Sequence, residues 1–311
     1  MEEINPTAAR QYIDAVATFE AWEEARQEAA QVRGGMYWHA GPPAAPHARY
    51  LVRTTPAGAE TSLGPQTPET QVMYDRFMQR KQESTERMAG LKAALDQHRR
   101  LNRALRVGRV EPLVVNLLVR LADTQLSPHF RVVGTHALYA YEAAAGVRLD
   151  AGALATRDID LLWDTRKRIQ FATQLARVDS SMLGVLKKVD NTFRIRQSQK
   201  YTAVNKDGFE VDIIRHERVD DDPHPIKLSD DDDDFWVAQA RRANVLLDAP
   251  EFSTVIVATN GTMARMNTVA PATFVAFKRW LAGQRDRDAL KRRRDELQAA
   301  VVQRLVDEYL Q

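Results

Sequence analysis

The stretch Ala155 to Asp164, ATRDIDLLWD, sets two carboxylates one residue apart inside an apolar run. Side chains two apart on a strand share a face, so Asp158 and Asp160 project together while Ile159 and Leu161 enter a core behind them. Adjacent carboxylates repel, and one of them holds a proton at neutral pH unless a cation sits between the two. A third acid in the same posture stands in Phe209 to Ile214, FEVDII, where Asp212 lies between Val211 and Ile213 on an expected neighbouring strand. Three such acids make an oxygen-rich site suited to Mg²⁺ or Mn²⁺, hard ions that complete their shell with water and phosphate oxygens. A solvated strand edge carries the same DID pattern, so the surrounding sequence has to decide.

Upstream, FRVVG (Phe130 to Gly134) reads as a short strand, and THALYAYEAAAG as a helix closed by Gly146. Gly134 and Thr135 fall at the junction between them. A glycine there lets a phosphate approach the backbone, the first helical N–H groups favour an anion, and the Thr135 hydroxyl adds a donor. An ordinary strand-to-helix turn has the same residues. Downstream, a helix is expected over Thr165 to Val178, followed by strands in TFRIRQ, KYTAV and FEVDII, the last two joined by NKDG with Asp207 and Gly208 in the turn. The order of elements predicts an α+β fold with a mixed sheet.

A glycine-hydroxyl turn, then DID, then a lone Asp after a hairpin resembles the nucleotidyltransferase fold of the DNA polymerase β superfamily over about Phe130 to Arg215. The longer string VVGTHALYAYEAAAGVRLDAGALATRDIDLLWD, with LNRALRVGRV before it, resembles a bacterial family of nucleotidyltransferase-fold proteins over most of the chain beyond Tyr37. The resemblance implies transfer of an NMP from an NTP such as ATP to an acceptor hydroxyl on a tRNA end, a protein or a small molecule, and a setting in toxin or defence systems. It assigns the metals to Asp158, Asp160 and Asp212, the triphosphate grip to Gly134 and Thr135, and a phosphate-neutralising role to Lys278 on a helix after the sheet. Thr135 stands where that superfamily usually has Gly or Ser, and GVRLDAGALAT lengthens the link to the DID strand. Those departures keep open a non-catalytic nucleotide-binding module, and the basic C-terminal helix keeps open a nucleic-acid-binding protein.

On either side of this core the chain reads as helical. Asn5 with Pro6 caps an amphipathic helix bearing Tyr12, Val16, Phe19 and Trp22 and ended by Gly34 and Gly35; Met36 to Arg53 suggests a small hairpin; a long polar helix runs from Thr67 to about Leu105, and a buried one from Glu111 to about Ala122. The expected division is residues 1–125 as a helical N-terminal region with a small β-hairpin, 126–222 as the catalytic core, and 235–311 as a helical C-terminal domain. Within that last part a short strand is expected at Thr254 to Ala258, and Phe277, Trp280, Leu281, Leu290, Leu297, Val301 and Leu305 read as the packing face of the basic region.

The 311 residues contain no cysteine, which removes disulfides and thiolate metal sites and suits the cytosol. No run of about eighteen apolar residues occurs, so no membrane association is expected. The net charge of +2 is too small for a global field that would coat nucleic acid. Charge is segregated instead: Asp220 to Asp234 holds eight aspartates, read as a solvated linker, and Lys278 to Arg294 holds eight Lys or Arg, read as helical salt bridging or as an RNA-steering surface. His136, next to Thr135, reads either as a phosphate or base contact or as packing. His216 and His224 flank the acidic run without a zinc-ligand spacing. Oligomeric state has no signature in the sequence.

Overall fold

The computed structural model describes residues 1–45, 47–154, 156–218 and 225–310. His224 and the aspartates at 220–222 lie outside the described residues. In chain order the elements are β1 (Glu2–Glu3), α1 (Pro6–Gln31), β2 (Gly35–Ala40), β3 (Arg49–Thr54), β4 (Glu60–Pro65), α2 (Pro68–Ala104), α3 (Pro112–Asp123), β5 (Phe130–Val133), α4 (Ala137–Ala145), β6 (Val147–Arg148), α5 (Ala151–Leu154) and β7 (Asp158–Trp163). There follow α6 (Arg168–Val178), α7 (Met182–Lys187), β8 (Arg194–Arg196), β9 (Gln199–Val204), β10 (Glu210–His216), β11 (Ala238–Ala240), α8 (Ala243–Asp248), β12 (Glu251–Val257), β13 (Met263–Val269), α9 (Pro271–Ala282) and α10 (Ala289–Glu308). Among the described residues no helix is long and apolar enough to cross a membrane.

Two compact units result, one of Arg10–Leu101 and one of Met1–Ala9 with Asn102–Gln311. The first consists of most of α1 and α2 with an antiparallel meander, β2-β3-β4. Its third strand was not expected, because ETSLGP is almost wholly exposed and carries no apolar alternation. The meander is held by aromatic and cationic contacts: Trp38 and Tyr74 rings lie 5.8 Å apart, and the Arg53 guanidinium sits 4.1 Å from the Phe77 ring centre.

The second unit is organised by a mixed sheet in the order β5-β7-β10-β9-β8, with β11 also paired to β10. β7 and β10 run parallel, while β5, β9 and β8 run antiparallel to their neighbours. Ile159, Leu161, Val211 and Ile213 are fully buried on one face, where Val114, Val115, Leu118 and Leu121 of α3, Phe171 of α6 and Leu186 of α7 complete the core. The opposite face, which carries the acids, is covered only at one end. There Leu162 packs with Leu138 and Tyr141 of α4, Leu246 of α8, Phe274 of α9 and Val302 of α10.

The segment before β7 is not a plain loop. Within it β6 pairs with β1, and α5 buries Ala153 and Leu154. Glu142, buried on α4, binds Arg109, Arg148 and the Leu149 amide, which anchors this segment to the helix that follows the glycine turn. The strand expected at Thr254 to Ala258 is β12, and it forms a hairpin with β13, which was not anticipated. MARMNTV buries five of its seven residues without strong apolar alternation, and helix α9 begins only at Pro271.

Two expectations about buried faces are corrected. Leu290 and Leu297 of α10 are 74% and 46% exposed. The helix instead buries Asp295, Gln298, Ala299, Val302 and Leu305, because its polar positions have partners inside. Likewise Asp234, read as part of a solvated linker, is buried: its carboxylate accepts the Met182 and Leu183 amides at the start of α7, at 3.0 and 2.9 Å, and the Ser229 hydroxyl at 2.6 Å.

Candidate active site

The parallel register of β7 and β10 sets Asp160 beside Asp212 and Asp158 beside Glu210. Since alternate residues share a face, Asp158, Asp160 and Asp212 converge, and one carboxylate oxygen from each lies within 4.8 Å of the others. Two of the acids are braced by neighbouring hydroxyls. The Thr156 hydroxyl donates to Asp158, and the Thr202 hydroxyl, from the adjacent strand, donates to Asp212 at 2.5 Å.

Asp160 is the innermost. Burial, reinforced by the charges of Asp158 and Asp212, pushes its carboxyl up to about 7, against the opposing pull of Lys278 and Arg294. Asp212 is raised for the same chief reason, burial, and is partly relieved by the Thr202 hydroxyl. The site is therefore short of positive charge. Oxygen-only donors, clustered and mutually repelling, are the set a hard divalent cation takes.

Gly134 has a left-handed φ of +69°, and a Cβ placed there would stand 2.3 Å from Asp160 Oδ2. Its missing side chain thus makes room for the innermost carboxylate, a role the sequence did not disclose. The Thr135 hydroxyl is buried and accepts hydrogen bonds from Arg294 Nη2 at 2.9 Å and Gln298 Nε2 at 3.0 Å. Gln298 also binds the Ala153 carbonyl. One face of α10 consequently pins the turn and the α5 segment together.

His136 is buried as well. Its Nδ1–H donates to the Asp158 carbonyl at 3.0 Å, and burial lowers its pKa to about 4, so it serves as a neutral brace of the acid strand. His216, at the end of β10, accepts from the Thr165 hydroxyl and donates to the Glu217 carbonyl.

A pocket of about 450 Å³ adjoins the acids. Gly134, Asp160, Lys278 and Arg287, with Arg241, Gln284 and Asp286, form its polar wall; Leu246, Phe274, Phe277 and Trp280 are among its apolar lining. Lys278 and Arg287 are both held by buried Asp295, at 2.7 Å from Lys278 Nζ and 2.8 Å from Arg287 Nε. Burial depresses the Lys278 pKa, while Asp295 and then Asp160 oppose the shift. The remaining basic residues divide: Arg241 pairs with Asp286, and Arg304 with Glu308. Arg287, Arg294, Asp295 and Gln298 were not singled out for the site from sequence. Arg294 and Gln298 reach back 159 and 163 positions to Thr135, and Asp295 reaches Lys278 on α9 and Arg287 in the link before α10, pairings that no helical spacing encodes.

Comparison with curated proteins and with solved structures gave no match. The family model that does match is that of a nucleotidyltransferase, aligned over residues 113–311, a span that contains the whole mixed sheet, the glycine turn, all three converging acids and the two helices behind them. The chain belongs to this nucleotidyltransferase family, and so to enzymes that take an NTP and transfer its nucleotidyl group.

Proposed function

We propose that the chain transfers an NMP from an NTP, ATP among them, to an acceptor hydroxyl with Mg²⁺ or Mn²⁺ held by Asp158, Asp160 and Asp212. The observation that carries the reading is the convergence of these three carboxylates beside a pocket walled by Gly134, Lys278 and Arg287. A divalent ion in such a site supplies charge neutralisation for the acids and the phosphates. Lys278 and Arg287 would face the β- and γ-phosphates and stabilise charge on the departing pyrophosphate. The apolar wall with Phe277 and Trp280 would take the base and ribose.

Asp212 is the acid we assign to the acceptor. Its raised pKa makes it a better proton acceptor than an ordinary exposed carboxylate. The acceptor oxygen forms its bond to the α-phosphorus, the bond from that phosphorus to the bridging oxygen breaks, and the hydroxyl proton moves to Asp212. Gly134 keeps the innermost acid in place and Thr135 fixes the turn through α10. A cytosolic role in a toxin or defence system fits a cysteine-free chain of this family.

The test is incubation with each α-labelled NTP, Mg²⁺ or Mn²⁺, and a cell extract. Label transfer that disappears in Asp158→Ala and in Asp160→Ala is the expected result. Transfer that persists in both variants would overturn the assignment.

A further inference from the structure

Three cations line the pocket beside the acids, and they are held in two different ways. Lys278 and Arg287 are bound from behind by Asp295, which is buried in the wall and does not itself line the pocket. Arg241 is bound from within. Its partner Asp286 lines the same pocket, with Oδ2 at 2.8 Å from Arg241 Nη1, and the two side chains are 64% and 63% exposed. Register gives the pocket its length. β11 runs parallel to β10 with Ala240 level with His216, four residues beyond Asp212, and Asp212 is level with Asp160. At about 3.3 Å per residue, the end of the floor near Arg241 lies about 13 Å along the strands from the acids. Ile214 and Ala240 line the stretch between.

The turn that carries Arg241 is fixed by its next residue. Arg242 has a left-handed φ of +56°, its amide donates to Glu217 at 3.2 Å, and its guanidinium lies 5.0 Å from the Trp280 ring centre. Such strain in a non-glycine residue persists only where the surroundings dictate it, and it gathers at ligand clamps. The backbone is thus set firmly beside the pocket, while the Arg241 side chain has one ion-pair partner among the described residues, the exposed Asp286.

We infer, building on the function proposed above, that Arg241 binds the γ-phosphate of the NTP by exchanging Asp286 for it, and so sets the pocket's preference for triphosphates over diphosphates. An ion pair between exposed groups adds little net stability, so giving it up costs little. Asp286 meets Arg241 through one bond, whereas a terminal phosphate offers the planar guanidinium two parallel ones. The acids and their divalent ion take the α-phosphate, and Lys278 and Arg287 follow along the phosphates. The cation farthest along the floor then falls to the last of them. Asp286, released, turns to solvent, as its exposure permits. Asp295 has no such freedom, because it is buried behind the cations it holds.

The test is calorimetric titration of the full chain, in Mn²⁺ and without acceptor, with the α,β-methylene analogues of ATP and of ADP. Arg241→Gln is expected to weaken the triphosphate at least about 10-fold and the diphosphate less than about 2-fold. Asp286→Asn removes the competing carboxylate and is expected to tighten the triphosphate about 3-fold, a gain that vanishes when Arg241→Gln is also present. Both positions are exposed, so folding is secure, and diphosphate binding reports an intact site. Equal losses for the two nucleotides in Arg241→Gln, or no loss, overturn the inference. So does an Asp286→Asn gain that is missing, or one that survives in the double variant, since the latter is a through-space effect of charge. Failure of the wild type to bind the triphosphate analogue with Mn²⁺ would instead sink the proposed function, and the wild-type titration distinguishes the two failures.

Discussion

Gly134 and Asp160 are in such close approach that a Cβ on residue 134 would overlap the carboxylate, at 2.3 Å from Oδ2. Gly134→Ala must therefore rotate Asp160 out of the cluster and also hold a left-handed alanine, at a combined cost of roughly 1–3 kcal/mol. Affinity for Mn²⁺ should fall at least about 10-fold while the fold survives. Isothermal titration together with circular dichroism would check both; undiminished Mn²⁺ affinity would show that the carboxylate has another place to go.

Repulsion among the acids predicts a stabilising substitution at the centre of the site. Because Asp160 titrates higher in the folded chain than in the unfolded one, its contribution is greatest below about pH 4 and is lost as pH rises toward about 7. Without divalent ions, Asp160→Asn should then unfold at higher temperature than wild type at pH 7.5, by a few degrees. Adding Mn²⁺ should raise the wild-type midpoint and leave that of the variant nearly unmoved. A thermal-shift series with and without EDTA reads both effects.

His136 provides a pH dependence of opposite sign. Its folded pKa is near 4 and its unfolded value near 6.5, so the stability it contributes is complete above about pH 6.5 and is lost as pH falls toward 4, by up to roughly 3 kcal/mol. His136→Asn should lessen that acid-side slope in urea unfolding between pH 7 and pH 4.5. A slope identical to wild type would mean the imidazole is charged in place.

Asp295 holds two of the three cations that line the pocket beside the acids, so Asp295→Asn leaves Lys278 and Arg287 without their carboxylate. We expect a loss of about 3–5 kcal/mol in stability and, at temperatures where the variant is folded, at least about 10-fold weaker binding of Mn²⁺ with the ATP analogue. Nucleotide affinity equal to wild type would mean that these two cations bind phosphate without help from Asp295.

The sheet was legible because its signals are local. FRVVG, DIDLLW and FEVDII announce strands by alternation and branched content, Gly146 closes the helix after the first and Asp207–Gly208 turn the chain into the last, and the one-apart acids imply a shared face before any coordinates. What escaped was non-local or polar. β4 is exposed, so it has no apolar rhythm, and β13 alternates only weakly. The inner face of α10 is the clearest instance: Asp295 and Gln298 look like solvated positions, and only the partners folded against them, Lys278, Arg287 and Thr135, make burial favourable. Gly134 was recognised as a residue of interest for its conformational freedom toward a ligand, yet its closest constraint is a neighbouring acid.

The attachment of Thr135 to Arg294 and Gln298 spans 159 and 163 positions of the chain. During synthesis the strands bearing all the acids emerge before that helix does, and at about 5–20 residues per second the turn waits roughly 8 to 30 seconds for its clasp. A nascent chain caught in that interval has its three aspartates translated but no lock on the bend beside them, so competence arrives late, with the helix that fastens it.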